Sequence, residues 1–161
     1  MIVGNATGSL HLAASVFALI FGTWMLVTEK GTSTHRKVGY LYTFSMAVLI
    51  ITAFLIYRLF GTFGLFHIAA LVSAVTLTLG ILAAVLRRPQ KTWLGHHFSF
   101  MYWSVMGLYA AFVAEVLTRV PQTPFFRMVG IATGGVMVLA YTAFFFLKKR
   151  WSRLAMLYTN D

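Results

Sequence analysis

Of the chain's 161 residues, 60% are hydrophobic and only 10% charged, against about a quarter charged in an ordinary soluble domain. Lys and Arg number 13 against 3 Asp and Glu, a formal net charge of +10 that by itself raises nucleic acid as a partner. The uncharged runs over residues 1–28, 38–57, 59–86, 92–114 and 128–147 exclude that reading. They are too long for a soluble fold, and each suits a membrane crossing of about 20 apolar residues. Cysteine is absent, which removes disulfides, zinc fingers and thiolate metal ligands.

The expected fold is an all-α membrane protein, a five-transmembrane up-down helical bundle with spans near 7–28, 38–59, 65–86, 97–118 and 127–147. The opening Met-Ile-Val-Gly-Asn carries no basic stretch and reads as the start of a retained first helix rather than a signal peptide. On the first span His11, Ser15, Ala18 and Gly22 share one face, a stripe of small residues that lets helices approach closely. The connections Glu29–Lys37, Phe60–Gly64, Arg87–His96 and Arg119–Phe126 are short, so sequential helices are antiparallel neighbours. Gly61 and Gly64 mark a tight turn, Pro121 and Pro124 the fourth loop. Gly130 and Gly134 form a small-xxx-small pair on the fifth span, again a packing feature.

Basic residues set the orientation. Lys30, Arg36, Lys37, Arg87, Arg88, Lys91, Lys148, Lys149, Arg150 and Arg153 fall on one side, and Arg58, Arg119 and Arg127 on the other. The positive-inside bias then puts the N-terminus outside and the C-terminus in the cytoplasm, in a multi-pass protein of the cell inner membrane. Residues 148–161 alternate basic and apolar side chains and read as a short interfacial tail helix on an anionic surface.

The five histidines sort into two layers. His11 and His67 stand near the outer ends of the first and third spans. His35 lies just before the second span, and His96 and His97 open the fourth. His97 and Glu115 are 18 residues apart, five turns and about 27 Å of helix, so they share a face at opposite ends of the membrane. Arg119 follows Glu115 at i+4, in reach of an ion pair. Ionisable groups at membrane depth are costly and mark functional paths, although histidine is also an ordinary interfacial residue. Met101, Tyr102 and Trp103 read as packing and belt residues.

Through His35-Arg36-x-x-Gly39-x-x-Tyr42 and His97-x-x-Phe100-Met101-x-x-Ser104, the chain resembles an uncharacterised family of small bacterial predicted membrane proteins, a domain of unknown function. The likeness extends from His11 to Arg119-Val120-Pro121 and includes Lys30-Gly31-Thr32 and Arg87-Arg88-Pro89. It implies a compact helical membrane bundle with histidines at His11, His35 and His97, and His67 in a subset. In layout it is distantly similar to cytochrome b561-like dihaem membrane proteins, which place one histidine pair near each face.

Three functions follow as expectations. The first is a b-type haem protein that carries electrons between the membrane faces, with quinone or a redox protein as partner. His11 would pair with His67 and His35 with His97 as axial ligands. Arg36, Lys37, Arg87 and Arg88 would hold inner propionates, and Arg58 or Arg119 outer ones. The second is a membrane zinc-binding protein or metalloenzyme, with His11, His67 and Glu115 leaving an open fourth position on Zn²⁺. The third is a non-catalytic accessory subunit of a larger membrane complex. No phosphate-binding glycine loop or nucleophile elbow is present.

Overall fold

The computed structural model describes residues 6–56, 61–119 and 124–159, and of residues 150 and 152–159 the backbone only. Its described residues form five helices and no strand: α1 (Ala6–Val27), α2 (Ser33–Phe54), α3 (Leu65–Leu86), α4 (Trp93–Leu117) and α5 (Phe125–Thr159). All five are long and apolar enough to cross a membrane, α5 through its segment Phe125–Lys149. Large apolar side chains such as Trp24, Phe44, Ile51, Val72, Leu139 and Phe145 are exposed along them. A water-soluble surface does not carry that much apolar area, whereas a bilayer solvates it.

Helix boundaries differ from the expected spans by four residues or more in four places, one of them the end of α2 at Phe54 instead of 59. α2 starts at Ser33 instead of 38, because Thr32 is its N-cap and its hydroxyl accepts the His35 amide at 3.1 Å. Gly31 makes the preceding turn at φ +82°, which a residue with a Cβ adopts only with strain. His35 therefore lies in the first turn of α2, not before it, and Arg36 and Lys37 are helical and exposed. α4 starts at Trp93 instead of 97, so His96 and His97 sit inside its first two turns. α5 does not stop at 147. It continues through the basic residues to Thr159, about 50 Å of unbroken helix.

The chain divides into two compact units, Met1–Val75 and Thr76–Asp161. In the first, α1 packs on α2. The contact face of α1 is small, with Gly8, Ala14, Ala18 and Gly22 buried beside Met25. Opposite it α2 buries Val38, Tyr42, Ser45, Met46, Leu49 and Thr52. In lipid there is no water to expel from such a face, so close van der Waals contact of large side chains over a small-residue surface holds the pair. The expected stripe on α1 is thus the packing face, with His11 and Ser15 at its half-buried margin. Hydroxyls turn back on their own helices, as Thr43 to Gly39 and Ser45 to Leu41, which satisfies them where no water is at hand. Lys30 closes α1 by donating Nζ to the Met25 and Leu26 carbonyls at 2.6 and 2.9 Å, a cation at the negative end of the helix.

In the second unit α4 is the central element and packs on α5. It buries Phe98, Met101, Tyr102, Ser104, Val105, Leu108, Ala110 and Ala114. Tyr102, 2% exposed, donates its hydroxyl to the Ala140 carbonyl of α5 at 2.7 Å. Its ring belongs to an aromatic cluster with Trp103, Phe144 and Trp151. Gly130 and Gly134, expected as packing positions, are exposed, and a Cβ on either would meet nothing. The α4-facing side of α5 is built instead from Val129, Ala132, Ala140 and Trp151.

Candidate functional site

His11 stands near the start of α1 and meets the end of α2. Its Nδ1 lies 2.9 Å from Thr52 Oγ1. The single hydroxyl proton of Thr52 is already directed at the Val48 and Leu49 carbonyls, at 2.8 and 3.0 Å. Thr52 therefore accepts and His11 Nδ1–H donates. A neutral ring held this way keeps its lone pair on Nε2. Thr52→Val, which keeps the shape and removes the acceptor, is expected to cost about 1–2 kcal/mol in a denaturant titration. It should also shift the His11 ring nitrogens in a ¹⁵N spectrum, whereas an unchanged spectrum would mean that Thr52 does not set the tautomer.

His67, 5% exposed, has the opposite polarity. Its Nδ1 accepts the Gly64 amide at 3.1 Å, and its ring stacks on Phe63 at 5.0 Å and tilts against Phe54 at 6.1 Å. Gly64 precedes α3, so His67 occupies the third helical position and supplies the side-chain half of a capping box, the part usually taken by Glu or Gln. That bond puts the proton of a neutral ring on Nε2, so in this arrangement Nε2 offers no lone pair to a metal. His35 holds the equivalent position of α2, where the other half of the box is formed, Thr32 accepting the His35 amide. Its ring is half-buried, with Nδ1 wholly so.

The structure separates the two adjacent histidines of α4. His96 is exposed, and its Nδ1 donates to the Thr92 carbonyl of its own helix start at 2.8 Å. His97 is half-buried and donates Nδ1–H across to the Gly80 carbonyl of α3 at 2.8 Å. A carbonyl cannot donate, so the lone pair of neutral His97 is again on Nε2. Gly80 also governs how closely α3 and α4 approach. A Cβ there would stand 2.8 Å from Met101 Sδ, 3.1 Å from its Cγ and 3.3 Å from its backbone nitrogen. Gly80→Val is therefore expected to destabilise the fold by about 1–3 kcal/mol and to break the His97 bond. Unfolding in mixed micelles reads the first effect, and the ¹⁵N shift of the His97 ring the second.

Glu115 and Arg119 form the expected i,i+4 ion pair at 2.6 Å, with Arg119 51% and Glu115 41% exposed. Pairs so exposed contribute little stability. His11 and His67 belong to the first unit and Glu115 to the second. Among the described residues, no group of three or more His, Cys, Asp or Glu comes together to hold a metal ion. Of the cations expected to hold anionic groups, Arg36, Lys37, Arg87 and Arg88 are exposed, while Arg58 lies outside the described residues, as do Pro121 and the side chains of Arg150 and Arg153.

The site residues thus sort by hydrogen bonding. His67 and His96 serve helix starts. His11 and His97 are oriented by Nδ1–H bonds to another helix, with Nε2 as the basic atom. The sequence carried a signal for His67, a Gly-x-x-His run at the head of an apolar helix, but none for the Gly80 carbonyl. No family model matches the chain, nor does a curated protein or a solved structure.

Proposed function

We propose that the chain is an integral membrane b-type haem protein that passes electrons between the two faces of the cell inner membrane. In this reading the five helices form an up-down bundle with the N-terminus outside and the C-terminus cytoplasmic, which puts His11 toward one face and His97 toward the other. The observation that supports it is the shared orientation of these two rings. A histidine that ligates a metal usually donates its other ring N–H to a protein acceptor, which fixes the tautomer and raises the basicity of the ligating nitrogen. Thr52 Oγ1 and the Gly80 carbonyl do this for His11 and His97.

In the bound protein His11 and His97 would each hold one haem through Nε2, and His35 is a further candidate imidazole of the first unit. His67 remains the cap of α3. Haem supplies one-electron redox chemistry, with quinone or a redox protein as exchange partner. Thr52 and Gly80 would fix the tautomer and the aim of the two imidazoles, and Arg36 and Arg88 are guanidinium groups that could take carboxylates. The test is the absorption spectrum of protein purified from cells supplied with haem precursor. A Soret band that shifts on reduction, with a b-type pyridine haemochrome, is expected. Monodisperse protein without a Soret band would overturn the assignment.

A further inference from the structure

Within the second unit, the register of α5 on α4 is set by two contacts. One is the Tyr102 hydroxyl on the Ala140 carbonyl at 2.7 Å. The other is the Trp151 ring, 5.8 Å from Phe98, 5.5 Å from Tyr102 and 5.8 Å from Phe144. The helix therefore does not peel away after the hydrophobic span, and Lys148 and Lys149 ride beside the first turns of α4, both exposed. The short turn from α3 to α4 delivers Arg87, Arg88 and Lys91 to the same end, all exposed, with the Arg87 guanidinium 5.9 Å from the Trp93 ring centre. The one described carboxylate of this unit, Glu115, lies at the far end of α4 and is engaged by Arg119. Five cations thus collect at one end of this unit.

A second feature leads into the same place. Val138, Tyr141 and Phe145 follow one another at i, i+3 and i+7 on α5, exposed by 67%, 67% and 71%. The next position on that stripe is Lys149, so an exposed apolar strip of about 10 Å runs on into a basic doublet. Apolar length followed by positive charge is the complement of an anionic amphiphile. We propose that this end of the second unit binds an anionic glycerophospholipid, its phosphate held among Arg87, Arg88, Lys91, Lys148 and Lys149 and an acyl chain laid along Val138, Tyr141 and Phe145. The proposal is independent of any haem and requires only that the helices span a bilayer.

The full chain is placed in nanodiscs of phosphatidylcholine with a tenth of phosphatidylglycerol, released into mild detergent, and its retained lipid counted by native mass spectrometry. Phosphatidylglycerol is expected to be enriched at least fivefold over its share. Each basic residue near an anionic surface contributes roughly a factor of five. Lys148→Gln with Lys149→Gln, and separately Arg87→Gln with Arg88→Gln and Lys91→Gln, should therefore each cut the enrichment at least fivefold. Arg127→Gln, which removes an exposed cation at the opposite end of α5, should leave it unchanged. Retention in proportion to lipid composition, enrichment that survives both sets of substitutions, or equal loss in the Arg127 variant would overturn the proposal. Variants are compared only as monodisperse protein of unchanged helicity, and the two independent sets keep the test open if one fails to fold.

Discussion

In the proposed haem protein His97→Ala is expected to lose about nine tenths or more of the haem at its own site and so to keep about half of the total, and His11→Ala to do the same at its site, whereas His67→Gln retains nearly all of it. The contrast follows from the hydrogen bonds alone. The Gly80 carbonyl and Thr52 Oγ1 take the Nδ1 protons of His97 and His11 and leave Nε2 basic; altering even such supporting partners typically costs 10–100-fold in metal affinity, and deleting the imidazole removes the ligand itself. His67 accepts a backbone amide through Nδ1, and a glutamine in its place can accept that amide through Oε1, which preserves the capping box. Haem per protein is measured by pyridine haemochrome on material of unchanged helicity. Full haem loss in His67→Gln with full retention in His11→Ala would reverse the two roles and refute the tautomer argument.

The sequence was most informative about what lies in hydrocarbon and least informative about where helices end. An uncharged run bounds the part of a helix that lipid surrounds, but charge does not stop a helix. Arg36 and Lys37 sit in the first two turns of α2, and Lys148 to Arg153 continue α5, because outside the apolar layer a basic side chain is solvated and its backbone hydrogen bonds are kept. The true start of α2 was legible in Gly31-Thr32, a positive-φ turn followed by a hydroxyl cap, and the extra turns moved His35 from a loop into the helix. The Glu115–Arg119 pair was legible too, since i,i+4 spacing brings two side chains together on any helix.

Two failures have another origin. Gly130 and Gly134 mark a face that permits close approach, but a small-residue pair says nothing about which element approaches, and among the described residues none comes within 4 Å of where a Cβ would stand. The five histidines were placed by depth, which is one-dimensional. Their chemistry depends on which ring nitrogen meets a donor or an acceptor, and for His97 that partner is a backbone carbonyl 17 residues away, invisible to side-chain pattern. The division into capping and ligand-like histidines is therefore a product of the fold.

Trp151→Ala should be the most destabilising single change in the second unit, by about 3–5 kcal/mol, the range for deleting a buried large aromatic. Trp151 lies beyond the uncharged span yet is only 8% exposed, and it contacts Phe98, Tyr102 and Phe144 together, edge-on to Tyr102 and Phe144. Edge-to-face pairs add about 0.5–1.5 kcal/mol each beyond simple burial, and loss of the ring opens a void that three rigid aromatic neighbours cannot close. Trp24 is the matched control: at 49% exposed it faces lipid, so Trp24→Ala should cost less than about 1 kcal/mol in the same denaturant titration in mixed micelles. The substitution has a second readout, because Trp151 is what holds the basic end of α5 along α4. Without it the segment after Lys148 is freed to open locally, and cleavage by trypsin there should quicken about tenfold while cleavage at Arg36 and Lys37 is unaffected. Equal stability of the Trp151→Ala and Trp24→Ala proteins, or unchanged trypsin cleavage after Lys148, would show that α5 is held to α4 within the membrane span alone.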